Sequence, residues 1–165
     1  MLFRSASIIM VPMGSHHRDD WRSFFNAASR HPRILFIVSA GNNGQDIRLA
    51  PVYPAINELA NILVVTSTLA DGQLAIGSNF SRSVNIGLPA ETLLARGLGD
   101  TKKLVSGSSF AVPKLAAFAA CLNARHYKKN SPLATLVTRE LQTSTNSDHY
   151  QFFLSDGQIT QMCRR

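Results

Sequence analysis

The sequence predicts an α/β fold, a parallel sheet with helices on both faces. Three observations carry that prediction. Short, continuous apolar runs recur at Ser7 to Val11, Ile34 to Ala40 and Ile62 to Ser67. Unbroken runs of this length suit strands covered on both faces, as parallel sheets require. A helical pattern separates the first two runs, with short joints, which is the mark of a βαβ unit. The third observation is a long stretch rich in Ala, Leu and Phe from Ser109 to Tyr127.

The elements follow in order. In the first helix Asp19 and Asp20 sit in the opening turn, where acids suit the positive end of the dipole. Trp21, Phe24, Phe25 and Ala28 recur at helical spacing, and Pro32 ends the element. The run 34–40 stops at Gly41-Asn42-Asn43-Gly44, a turn cluster. Asp71-Gly72 marks another turn, and Val84 to Ile86 and Lys103 to Val105 read as short strands. Beyond the Ala-rich helix, a further helix follows Pro132, at about Leu133 to Thr143. The tail HYQFFL, Ser155-Asp156-Gly157, QITQMC alternates around an Asp-Gly pair and predicts a β-hairpin. The expected organisation is a main unit over 1–145 and a hairpin tail over 146–165.

Composition narrows the function. With 165 residues, 45% hydrophobic and 16% charged, the chain can bury a core. No apolar run reaches the ~18–20 residues of a membrane span. The apolar start, Ile8 to Met13, is shorter than the ~7–15 residues of a signal-peptide core. Cys121 and Cys163 are too few for a disulfide scaffold and lack metal-ligand spacing; whether they pair, and the compartment, stay open. The net charge of +7 favours anionic partners. Yet the cations are scattered, with only Lys102-Lys103, Lys128-Lys129 and Arg164-Arg165 adjacent, which argues against nucleic acid.

Two loops have chemical potential. SAGNNG closes a buried strand, where sites of open α/β sheets lie. SGSSFAVP opens the Ala-rich helix, so backbone N–H groups and the positive dipole end flank a serine hydroxyl. That setting suits a nucleophile whose product carries an oxyanion, and the Asn42 amide would be a second donor. Taken singly, each loop reads most simply as a turn or a helix cap.

Together, in this order and 67 residues apart, they resemble the C-terminal half of subtilisin-like serine proteases, the subtilase family. SAGNNG is similar to the segment carrying the family's oxyanion-hole Asn, here Asn42. GSSFAVP is similar to the Gly-Thr-Ser-Met/Phe-Ala-x-Pro signature, whose Ser nucleophile is here Ser109. Val52-Tyr53-Pro54-Ala55 resembles the Tyr-Pro-Ala loop, and Ser78-Asn79-Phe80 the Ser-Asn segment. IIMVPMG resembles the cleft-wall strand, so the resemblance implies substrate contacts at Pro12, Met13 and Gly14, with Ser39, Ala40 and Gly41 walling the first specificity pocket.

The departures are specific. Ser108 replaces Thr, Lys114 stands for His, Ala117 for Gly and Pro12 for Ser. Pro12 cannot donate to a substrate backbone, and Pro113 removes one helical hydrogen bond. The family's Asp-Thr/Ser-Gly and His-Gly-Thr motifs precede the first strand and do not occur here. His16, His17 and His31 with Asp19 or Asp20 lack those motifs and read as surface or capping residues. The resemblance therefore implies a serine endopeptidase-type domain that is weakly active or inactive alone, a sheet incomplete on its N-terminal side, and an exposed edge at 7–11. A complementary chain or segment with the Asp and His would cover that edge. The alternatives are a non-catalytic module gripping extended peptide by strand addition, or a different hydrolase or basic interaction protein. Calcium is common in the family, but Asp46, Asp71 and Asp100 are isolated and no cofactor is expected. The family is often secreted, though no signal peptide is read here.

Overall fold

The computed structural model describes residues 6–126, 131–141 and 147–164. Five parallel strands form the central sheet in the order β1 (Ile8–Val11), β2 (Leu35–Ser39), β3 (Ile62–Thr68), β4 (Ile86–Pro89) and β7 (Phe152–Phe153). Between β4 and β7 the chain makes an antiparallel hairpin, β5 (Leu93–Arg96) with β6 (Lys102–Val105). The helices are α1 (Arg22–Arg30), α2 (Ser108–Arg125), α3 (Leu133–Leu141) and α4 (Asp156–Arg164).

Strand alternation sorts the side chains into two cores. Leu35, Ile37, Leu63, Val65, Ile86 and Leu88 face α2, α3 and α4, meeting Leu115, Phe118, Leu122 and Val137. Phe36, Val38, Ile62 and Val64 face the other way, toward Ala28, Ile47 and the rings of Trp21, Phe24 and Phe25. Helices thus cover both faces, as the unbroken apolar runs predict. β1 is the edge strand, and its Met10 is 52% exposed.

Several boundaries differ from expectation. The first helix begins as a 3₁₀ turn at Arg18–Trp21 and ends at Arg30, before Pro32. The fourth strand starts at Ile86, not Val84, because Val84 turns back to the Ser81 carbonyl and the Asn85 side chain takes the Val64 N–H. Part of the expected span of α3 lies outside the described residues, as does Tyr127.

The C-terminal hairpin is a correction. Residues 152–153 add a parallel strand, and 156–164 form a helix. Ser155 and Gln158 make a reciprocal capping box: the Ser155 hydroxyl accepts from the Gln158 N–H, and Gln158 Oε1 accepts from the Ser155 N–H. Ile159 and Met162 then fall on one helical face and pack on the core.

Helix α4 is tied to α2 in three ways. Cys121 and Cys163 form a disulfide. Lys114 pairs with Asp156, and Arg125 donates to the Met162 carbonyl. The bridge closes a loop of sequence separation 42, for which chain-entropy arguments give about 2–4 kcal/mol. Replacing both cysteines by serine is expected to lower stability by that amount in urea unfolding, with α4 losing amide protection first. An unchanged midpoint would show that the other two ties suffice.

Candidate functional site

The sheet presents the turn after β2 and the start of α2 side by side. Gly41 sits at φ 98°, and a Cβ there would lie 2.6 Å from Asn79 Nδ2, so only glycine fits the turn. Asn79 is fully buried and braces this turn from beneath. Its Oδ1 accepts from the Asn43 N–H (2.8 Å) and the Gln45 N–H (3.1 Å), and its Nδ2 donates to the Ala40 carbonyl (2.9 Å). Sequence reasoning notes Asn79 only as part of a motif; its role as a brace emerges from long-range contacts.

Asn42 is exposed and anchored at one end. The Ser108 N–H donates to Asn42 Oδ1 at 2.8 Å. A backbone N–H can only donate, so this bond fixes which arm of the amide is oxygen. Asn42 Nδ2 takes no hydrogen bond among the described residues. The preceding Gly107, at φ 120°, lies so close that a Cβ would come within 3.0 Å of Asn42 Oδ1.

The adjacent serines divide by burial. Ser108 is fully buried; its hydroxyl lies 2.7 Å from Ser39 Oγ, 2.9 Å from Asn42 Oδ1 and 3.2 Å from the Gly41 carbonyl. Ser109 is half-buried and its hydroxyl donates to the Pro12 carbonyl at 3.0 Å. The Ser109 N–H, in the first turn of α2, takes no partner among the described residues. Pro113 lacks the N–H that would otherwise bond the Ser109 carbonyl. Two unpaired N–H donors thus accompany a serine hydroxyl at the positive end of an 18-residue helix.

Pro12, Met13 and Gly14 are exposed and leave the end of β1 toward an antiparallel bridge between Ser15 and Tyr53. Ser39 and Ala40 are buried, the former turned to Ser108, so this stretch offers backbone more than side chain to a cleft. Lys114 reaches the Pro89 carbonyl and Asp156, away from the two loops. His16 Nδ1 lies 2.8 Å from the Pro51 carbonyl, and Asp20 accepts from the Ser15 hydroxyl. Neither joins Ser109. Carboxyls with depressed pKa lie elsewhere: the Arg48 guanidinium beside Asp46 and the Arg82 guanidinium beside Asp148 hold them low. Among the described residues, no group of three His, Cys, Asp or Glu is placed to hold a metal, and no helix is long and apolar enough to cross a membrane.

The model of the subtilase family matches residues 6–155. This chain belongs to the subtilase family. A subtilisin-like serine protease, AsES of Sarocladium strictum, is 35% identical over 89 residues, which is 54% of this chain and 22% of that protein. Among solved structures, a cold-adapted subtilisin-like serine proteinase superposes with a TM-score of 0.75 at 21% identity, covering 92% of this chain and 55% of its own. The prenylagaramide maturation protease PagA does so at 0.73 and 21% identity, covering 96% of this chain and 62% of its own. These likenesses establish the fold. The subtilase chain described here spans less than two thirds of each of these relatives.

Proposed function

We propose that this chain is the serine-bearing part of a subtilase endopeptidase, acting on peptide or protein substrates. Ser109 is the nucleophile, and its own N–H and Asn42 Nδ2 are the oxyanion donors. One observation carries this reading: the Ser108 N–H holds Asn42 by its oxygen, which leaves the amide N–H₂, like the nearby Ser109 N–H at the start of α2, without a partner among the described residues. Such fixed donors stabilise the negative charge of a tetrahedral intermediate without reorganising.

The general base is supplied by a second segment or chain that carries the family's Asp and His and packs along β1. A serine hydroxyl is a weak nucleophile without a base, and here it is spent on the Pro12 carbonyl. That same contact favours the second reading, a peptide-binding module whose serine is a spectator. The exposed edge of β1 would then take an extended peptide by strand addition.

Fluorophosphonate labelling separates the two. The chain is tested alone and co-expressed with a subtilase N-terminal half carrying both motifs. Labelling that requires the added half supports the endopeptidase. No labelling in either case, with peptide retained on the chain, supports the binding module. In the reconstituted enzyme, Asn42→Ala is expected to lower kcat by about 10²–10³ with little change in KM. A loss confined to KM would remove Asn42 from the oxyanion role.

A further inference from the structure

We propose that the β5–β6 hairpin docks this chain onto an anionic phospholipid surface. The hairpin register places Leu94 opposite Leu104 and Arg96 opposite Lys102. Residues two apart on a strand share a face, so both pairs project from the same side. Leu94 is 67% exposed and Leu104 69%. At the tip, Leu98 is 98% exposed, beside Gly99. Lys103, also exposed, pairs with Ala95 and so projects from the other side. The opposite face is spoken for: Leu93 packs against the main core.

From the tip inward come Leu98, then the cation pair Arg96 and Lys102, then the leucine pair Leu94 and Leu104, with Asp100 the one acid in the span. Asp100 lies 3.5 Å from Arg96, both well exposed, which leaves the local charge positive. An apolar tip with a cationic collar matches a bilayer interface: leucine enters the acyl boundary while lysine and arginine stay at the headgroups. Charge complementarity selects the anionic surface, since a zwitterionic one offers the collar nothing. An acidic protein would satisfy the cations but gives no reason for three exposed leucines in one hairpin. Leu49 and Ile76 are exposed as well, but they are not part of such a cationic hairpin.

Placement adds a consequence. The hairpin runs through Ser106 straight into α2, and Thr92 N–H bonds the Ser106 hydroxyl at its root. A docked hairpin therefore sets the Ser109 end of α2 close to the surface. This inference stands whether or not Ser109 is a nucleophile.

Co-sedimentation of the chain with phosphatidylcholine vesicles, with and without phosphatidylglycerol, tests it. Binding is expected only with phosphatidylglycerol, and it should weaken with salt. Arg96→Glu with Lys102→Glu should reduce partitioning by more than about tenfold. Leu98→Ser should reduce it by about fivefold or more. The control is Arg30→Glu with Arg33→Glu, an equal charge change just before β2, at the opposite end of the parallel strands. It should change binding by less than about twofold. Absent binding, or equal loss in the control, overturns the proposal. So does binding indifferent to Leu98→Ser, which would point to an acidic macromolecule instead. All three variants carry substitutions at exposed positions only, and circular dichroism checks that the fold survives.

Discussion

Ser109→Ala is expected to abolish fluorophosphonate labelling and to lower kcat of the reconstituted protease by about 10⁶, the scale of losing the nucleophile of a serine protease. Stability should hardly move. Among the described residues the hydroxyl makes one bond, to the Pro12 carbonyl, at the surface, and exposed bonds of this kind contribute about 1 kcal/mol or less. Ser108→Ala should do the reverse. Its hydroxyl is fully buried against Ser39, Asn42 and Gly41, so its removal leaves buried polar partners and lowers stability by about 1–3 kcal/mol. Activity should fall less, by way of a misplaced Asn42. The measurements are label incorporation, kcat and urea midpoint for each variant. Labelling that survives Ser109→Ala and vanishes in Ser108→Ala would exchange the two assignments. From sequence, two neighbouring serines are chemically equal, and only resemblance to the family signature chooses between them. Burial gives an independent physical ground for the same choice.

How far the fold was legible follows from the same logic. β2 and β3 are buried throughout, and a strand covered on both faces must be apolar at every position, so its sequence declares it. α1 declares itself by spacing. The C-terminal segment misled because Asp156-Gly157 fits a hairpin turn, and Gln158 to Cys163 alternates. The competing signal was also present. Ser155 and Gln158 are at capping-box spacing, and Ile159 and Met162 lie three apart, but the helix is settled only by docking on α2. β5 was missed for a related reason. It is half exposed and supported by one partner strand, so neither a continuous nor a clean alternating pattern marks it. In the candidate site, Asn42 and Ser109 could be singled out from sequence because the motifs around them are local. The bonds that hold them are not: Ser108 reaches Asn42 across 66 residues, and Asn79 reaches Asn43 across 36.

Those distant bonds make Asn79 the second large prediction. Asn79→Ala removes an acceptor for two N–H groups and a donor to one carbonyl, at a position with no exposure. The expected loss is about 2–4 kcal/mol, from unpaired backbone groups and the small void together. A packing role alone would predict that Asn79→Asp, nearly identical in shape, is harmless. The hydrogen bonds predict otherwise. Aspartate keeps the acceptor for Asn43 and Gln45, but it sets an oxygen against the Ala40 carbonyl and places an unpaired charge in the interior. Asn79→Asp should therefore destabilise at neutral pH at least as much as Asn79→Ala. Its deficit should shrink as pH falls, because a buried carboxyl has its folded-state pKa raised. Protonation then restores a donor for Ala40, so stability is recovered below the folded pKa and lost above it. Urea midpoints of the two variants across acid and neutral pH measure this. A flat, wild-type-like response from Asn79→Asp would show that shape, not hydrogen bonding, holds the Gly41–Gln45 turn. If the bonds do hold it, both variants must also free Asn42. In a reconstituted enzyme, kcat should then fall with KM nearly unchanged, as for a group that positions an oxyanion donor without touching substrate.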